Sequence, residues 1–244
     1  MTNEQKAVLR KIIYAAETGG QVYGQQDYSD FTEAYENNSD EHAITIGAGA
    51  WYATEAKTLL ERIYDADPEQ WEKIDKVRLL EQVQTANWEC FNISRMSQLA
   101  DTIVALISSD LGVKCQDSLM DEQLATYADE ALKQGVTDAR AQAMCVNFRH
   151  QGAVTRILAK TQKPYTLDNL YAACQTDTGN QVGVYKDRQR FVYNALKTYF
   201  PESEETDMKA INKLIQIAKN EIGYLEKASN SQLDSKTANA GENN

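Results

Sequence analysis

The sequence predicts a mainly α fold of the α+β class: a helical domain carrying one small antiparallel β-hairpin or sheet. Three observations lead there. Apolar residues recur at helical spacing over long stretches. Only three prolines occur in 244 residues, too few to interrupt those stretches often. One segment, residues 21–52, abandons the helical period for polar–apolar alternation rich in Tyr, Gly, Asn, Asp and Thr. With 42% hydrophobic and 25% charged residues, the chain has the material for a buried core. Its length suits one large domain, or one domain with an appendage.

Taken in order, residues 4–17 read as a helix with Val8, Ile12, Ile13 and Ala16 on its apolar face, stopped by Gly19-Gly20. Strands are predicted near 27–35 and 43–49, with Asn37-Asn38-Ser39-Asp40 as the turn between them. The helical period returns after Trp51. Thr54 is placed to cap a helix whose Ala56, Leu59, Leu60 and Ile63 share a face. Further helices are predicted near 69–83, 92–109, 121–134, 137–150 and 152–162. Asp65-Ala66-Asp67-Pro68, Asp110-Leu111-Gly112 and Gly135-Val136-Thr137 punctuate them. Thr166 starts a short helix, and a long one runs from Lys186 to Phe200, ended by Pro201.

The composition shifts after Pro201. Residues 1–201 are read as one domain and 202–228 as an acidic linker plus an amphipathic helix. Residues 229–244 read as a disordered polar tail. No internal repeat is evident.

Composition narrows the function classes. The formal net charge of -11 disfavours nucleic-acid binding and attachment to an anionic surface. No stretch approaches the roughly 20 apolar residues that span a bilayer, so no membrane insertion is expected. The polar start shows no signal peptide, so synthesis in the cytoplasm is expected. Cys90, Cys115, Cys145 and Cys174 lie far apart, with only His42 and His150 beside them in composition. That pattern reads as small buried hydrophobes and not as a metal site; no metal or cofactor is expected.

Glu17 is the leading candidate for chemistry. A glutamate ending an amphipathic helix, packed near apolar side chains and a Gly-Gly turn, suits the raised proton affinity of a general acid. Taken alone a glutamate reads as a surface residue of the last turn; the pattern around it is what points to chemistry. His150, in Asn147-Phe148-Arg149-His150-Gln151-Gly152, suits either the far wall of a cleft or the dipole of the helix it ends.

The residues around Glu17 resemble the lysozyme-like superfamily, particularly the glycosidase domains of phage and prophage endolysins. Ala16-Glu17-Thr18-Gly19-Gly20 is similar to their Glu-Ser-Gly-Gly turn, and Thr45-Ile46-Gly47-Ala48-Gly49 to their Thr-Ile-Gly-x-Gly strand. Ala48-Gly49-Ala50-Trp51-Tyr52 resembles a Gly-x-Gly-Gln-Trp run, departing from it at Ala50. Gly183-Val184-Tyr185-Lys186-Asp187-Arg188-Gln189-Arg190 resembles the Gly-Leu-Val-x-Arg-Arg start of a late helix. The resemblance spans residues 8–200. Residues 217–227, with the Asn-rich end, resemble the opening helix of cysteine/histidine amidohydrolase-peptidase (CHAP) domains, here truncated before their Cys and His.

The resemblance implies a lysozyme-like fold with the small sheet beside a catalytic cleft. Its activity would be that of a peptidoglycan muramidase, cleaving β-1,4 bonds between MurNAc and GlcNAc with Glu17 as general acid. The second carboxylate is expected on the hairpin: Asp30 first, then Asp27, then Glu33. Asp40 and Glu41 are expected in solvent at its tip. On a regular strand Asp27 and Asp30 point to opposite faces.

Thr45 is expected to position water, against the plain reading of a β-branched strand residue. Gly47 and Gly49 suit close approach of sugar, or a bend in the sheet. Tyr23, Tyr28, Trp51 and Tyr52 offer aromatic faces to sugar, with the balance for Trp51 towards a core anchor and Trp71 and Trp88 reading as core. The implied partners are peptidoglycan strands and possible further lysin domains or a wall-binding subunit, reached after lysis or export. Alternatives are a lytic transglycosylase using Glu17 alone, a chitosanase-like specificity, and a non-catalytic wall-binding or phage-assembly domain.

Overall fold

A computed structural model describes residues 1–37, 39–179 and 181–201, and contacts divide the chain after Pro201. The expected linker, the helix expected over 207–228 and the tail expected to be CHAP-like lie outside the described residues.

Helix α1 spans Asn3–Glu17. Thr2 opens it with a reciprocal capping box to Gln5, and Leu9, Ile12 and Ile13 are fully buried. Three two-residue strands follow: β1 Phe31–Thr32, β2 Thr45–Ile46 and β3 Trp51–Tyr52. They form an antiparallel sheet in chain order, pairing Thr32 with Thr45 and Thr45 with Tyr52. The sheet is shorter than the expected strands and has a third member. Residues 27–30 turn where a strand was expected, because Asp27 Oδ1 accepts from Ser29 N (2.8 Å) and Ser29 Oγ (2.6 Å).

The helical remainder is α2 Thr54–Ala66, α3 Pro68–Ile74, α4 Leu79–Thr85, α5 Gln98–Ile107, α6 Asp110–Lys133, α7 Ala139–His150, α8 Val154–Lys160, α9 Leu167–Thr176 and α10 Lys186–Tyr199. Several boundaries differ from expectation, among them the starts of α5 at Gln98 instead of near 92 and of α6 at Asp110 instead of near 121, and three differences have a local reason. The helix expected over 69–83 breaks in two because Asp75 accepts from the backbone N–H of Val77, Leu79 and Leu80. Asp110-Leu111-Gly112 does not end a helix; Ser109 caps α6 through Gly112 N, and Gly112 lets the first turn approach the end of α5. Thr54 is the first residue of α2, not its cap, since Ala53 precedes it without a side-chain cap bond.

The long helix α6 is central, packing on α1, α2, α5 and α7. Trp51, Trp71 and Trp88 all lie in the core. The cysteines are unbonded; Cys115, Cys145 and Cys174 are buried and Cys90 is exposed. Among the described residues no helix is long and apolar enough to cross a membrane, and no cluster could hold a metal ion.

One α6 side chain fixes the sheet to the helices. Gln116 is fully buried; its Oε1 accepts from Ala48 N (2.8 Å), and its Nε2 donates to Tyr28 O (3.1 Å) and Ile107 O (2.9 Å). Gly47 adopts a φ of 75°, and a Cβ there would lie 2.6 Å from Gln116 Oε1.

Candidate active site

The end of α1, the small sheet and the starts of the α7–α8 turn and α10 enclose a cleft of about 730 Å³. Glu17, Thr18, Asp30, Thr45, Tyr52, His150, Tyr185 and Arg188 are among its lining residues.

The chain reverses just after Glu17. Gly19 packs so tightly that a Cβ would sit 1.9 Å from Gln25 O. Thr18 Oγ1 donates to Ala48 O (3.3 Å) and accepts from Asp27 N (3.0 Å), tying the helix end to the hairpin. Glu17 is therefore held at a junction of helix and sheet.

Its partners come from the helices. Glu17 Oε1 lies 2.6 Å from Arg188 Nη1 and 3.0 Å from His150 Nε2, with the Glu17 side chain 15% exposed. His150 Nε2 also lies 3.2 Å from Gly49 O. Both neighbours are acceptors, so Nε2 carries the proton. Arg188 is held by a buried polar chain: its Nε donates to Asn147 Oδ1 (3.1 Å), Asn147 Nδ2 donates to Gln189 Oε1 (2.6 Å), and Gln189 Nε2 donates to Gln151 Oε1 (2.6 Å). Arg188 Nη2 is buried and has no hydrogen-bond partner among the described residues.

These neighbours reverse the expected proton affinity of Glu17. Burial pushes it up, but the Arg188 charge, the His150 hydrogen bond and the His150 charge outweigh burial and lower it to about 2. Asp30 behaves oppositely. Burial, then the charges of Asp27 and Glu36, push it up to about 6 despite Arg95. The cleft thus holds one carboxylate that gives up its proton easily and one that keeps it towards neutrality.

The hairpin residues divide. Asp30 and Thr45 line the cleft, Thr45 on the middle strand, where its neighbour Ile46 turns into the core. Asp27 does not line it; its carboxylate closes the 27–30 turn. Glu33 is turned away, accepting from Arg95 N and Ser94 Oγ. Glu41, expected in solvent, lines the cleft, whereas Asp40 is exposed.

Among the aromatic candidates, Tyr52 lines the cleft, and its hydroxyl accepts from His42 N (2.9 Å). Trp51 is fully buried; its Nε1 donates to Gln123 Oε1 (3.0 Å), so it anchors sheet to core and cannot stack on sugar. Tyr28 donates to Asp117 Oδ1 (2.9 Å), and Tyr23 stacks on Tyr199 at 3.8 Å; neither lines the cleft. Gly47 and Gly49 face protein: Cβ atoms there would meet Gln116 and Trp51, or Met120 and Trp51. They serve close packing of the sheet on α6, the alternative to sugar approach.

Local sequence pattern does not place Arg188, Gln151, Gln181 or Tyr185 in the cleft, yet all four line it. A signal for Arg188 existed. Arg188 and Gln189 share the buried stripe of α10 with Val192, Ala195 and Leu196, and polar groups on an apolar stripe demand partners.

No family model, no curated protein and no solved structure matches this chain.

Proposed function

We propose that the chain is a lysozyme-like glycosidase of bacterial peptidoglycan, a muramidase acting on the β-1,4 bond between MurNAc and GlcNAc. The observation that carries this reading is one cleft lined by Glu17, Asp30 and Thr45, whose two carboxylates are driven apart in proton affinity. Glycoside hydrolysis needs such a pair: one group to protonate the leaving oxygen, one to stabilise or attack the oxocarbenium-like centre or to activate water. Glu17 acts as the acid in this reading, Asp30 as the second carboxylate, and the Thr45 hydroxyl orients water. Proton donation by Glu17 then requires entering glycan to loosen its pairing with Arg188.

One observation favours exchanged roles. Arg188 and His150 hold Glu17 ionised while Asp30 keeps a proton towards pH 6. Asp30 would then be the acid and Glu17 the nucleophile or base. An aryl chito-oligosaccharide separates the two, because a phenolate leaves without protonation. Substitution of the acid, Glu17→Gln or Asp30→Asn, leaves cleavage of the aryl substrate largely intact, and substitution of its counterpart abolishes it.

The reading as a whole is tested by mass spectrometry of fragments released from purified peptidoglycan. Reducing-end MurNAc identifies the muramidase. Anhydro-MurNAc ends identify a lytic transglycosylase. Absence of fragments from several wall types replaces the enzyme with a wall-binding or assembly domain. The CHAP-like tail and wall-binding partners belong to the same proposal, as further parts of a lysin.

A further inference from the structure

We propose that Tyr185 is a stacking platform for a pyranose ring of the glycan, on the helical side of the cleft; this rests on the glycosidase reading above. Tyr185 lines the cleft and is 53% exposed. Other tyrosines and the tryptophan named from the sequence are committed within the protein: Trp51 in the core, Tyr23 on Tyr199, Tyr28 to Asp117, Tyr52 to His42 N. Among the described residues no ring packs on Tyr185. An open aromatic face suits the C–H surface of a sugar.

Exposure alone would not distinguish Tyr185 from an ordinary surface tyrosine. The construction of its loop does. Asp177, with a side chain 1% exposed, lies 3.0 Å from Arg156 Nη2 and 2.7 Å from Lys160 Nζ, and accepts from Gly179 N (3.2 Å). Lys186 Nζ donates to Cys174 O (2.6 Å) and Asp177 O (2.7 Å), bracing the loop from its other end. Val182 is fully buried, and a Cβ at Gly183 would lie 2.6 Å from Gly179 N, so the loop folds closely on itself. A segment braced in this way holds an exposed ring whose ordering cost is already met before ligand arrives.

The same turn reaches the reacting carboxylate. Tyr185 is the residue before α10, and Arg188 follows one helical turn later on the Glu17 side chain. Sugar stacked on Tyr185 is thereby registered against Glu17 through one short, braced piece of backbone.

The test uses the full chain carrying Glu17→Gln, titrated calorimetrically with a purified GlcNAc–MurNAc hexasaccharide. Adding Tyr185→Ala is expected to weaken binding about 3–10-fold, while Tyr185→Phe and Tyr185→Trp retain it. In the active chain, Tyr185→Ala raises KM with little change in kcat. Equal binding and equal KM for Tyr185→Ala and its parent overturn the platform while leaving the glycosidase reading intact. Neither binding nor cleavage by the parent chains overturns both. Unchanged thermal unfolding of Tyr185→Ala excludes misfolding as the cause of a loss.

Discussion

The two sides of the cleft are built differently. The hairpin side has three two-residue strands and is held from below by Gln116, with Asp27, Asp30, Glu36 and Glu41 concentrated along it. The helical side is held by buried side-chain hydrogen bonds through Asn147, Gln189 and Gln151, which set Arg188 against Glu17, with His150 at the end of α7 beside it. Each carboxylate is consequently governed by the side it faces. Glu17 ends up among donors that outweigh its burial and loses its proton readily, whereas Asp30 retains its proton because it is buried first and only then because acids stand near it. Burial pushes both the same way; the company each keeps decides whether that push survives.

The largest effect breaks the comparison at Glu17. Glu17→Gln keeps the shape and removes the charge, and peptidoglycan turnover is expected to fall about 10²–10⁴-fold with helical content unchanged by circular dichroism. Retained lytic activity would remove Glu17 from the chemistry. Next comes Arg188→Ala. It leaves a largely buried carboxylate without its cation, expected to cost about 3–5 kcal/mol in urea unfolding. It also frees Glu17 to take up protons at higher pH, so the limb of the activity profile that Glu17 governs moves upward: the alkaline limb where Glu17 is the acid, the acidic limb where it is the nucleophile or base. An unshifted limb would show that Arg188 does not govern that proton.

How much of this was legible in the sequence follows the same division. The helical period located α1, α7 and α10 within a few residues, because burial of one face dominates their energetics. Of the four residues the sequence groups as candidates, Glu17, Asp30 and Thr45 line one cleft and Asp27 does not. For Trp51 the sequence offers both a sugar-stacking face and a core anchor, with the balance towards the anchor, and its full burial decides for the core. The proton affinity of Glu17 was misjudged because its controlling groups lie 133 and 171 residues away in sequence, at His150 and Arg188. Long-range pairing of that kind leaves no local periodic trace, beyond a polar residue set unexpectedly on an apolar stripe.

A smaller effect separates scaffold from chemistry. Gln116→Leu preserves bulk but leaves Ala48 N, Tyr28 O and Ile107 O without their buried partner. Unfolding stability should drop by about 1–3 kcal/mol, and hydrogen exchange at Ala48 should accelerate more than exchange in α7. Equal acceleration on both sides would mean that the hairpin and helical sides are not independently supported.

The smallest effect is the pH dependence of stability, and it distinguishes the two carboxylates by sign. Glu17 falls from an ordinary 4.5 to about 2, so the folded chain binds that proton less tightly than the unfolded chain. Its stabilisation is present above pH 4.5 and lost as pH falls towards 2. Asp30 rises from 3.8 to about 6, so the folded chain binds that proton more tightly. Its contribution is greatest below pH 3.8 and is lost as pH rises through 6. Asp177, lowered to about 2 by Lys160 and Arg156 against its burial, adds to the acid-side loss, so Glu17→Gln reduces that slope without abolishing it. Asp30→Asn is the cleaner probe, because it should flatten the decline between pH 4 and 6.5 while leaving the acid side unchanged. Urea midpoints of the parent and Asp30→Asn across that interval decide the matter: a difference independent of pH would mean that neither burial nor the hairpin acids raise the proton affinity of Asp30, and the contrast between the two sides would reduce to Glu17 alone.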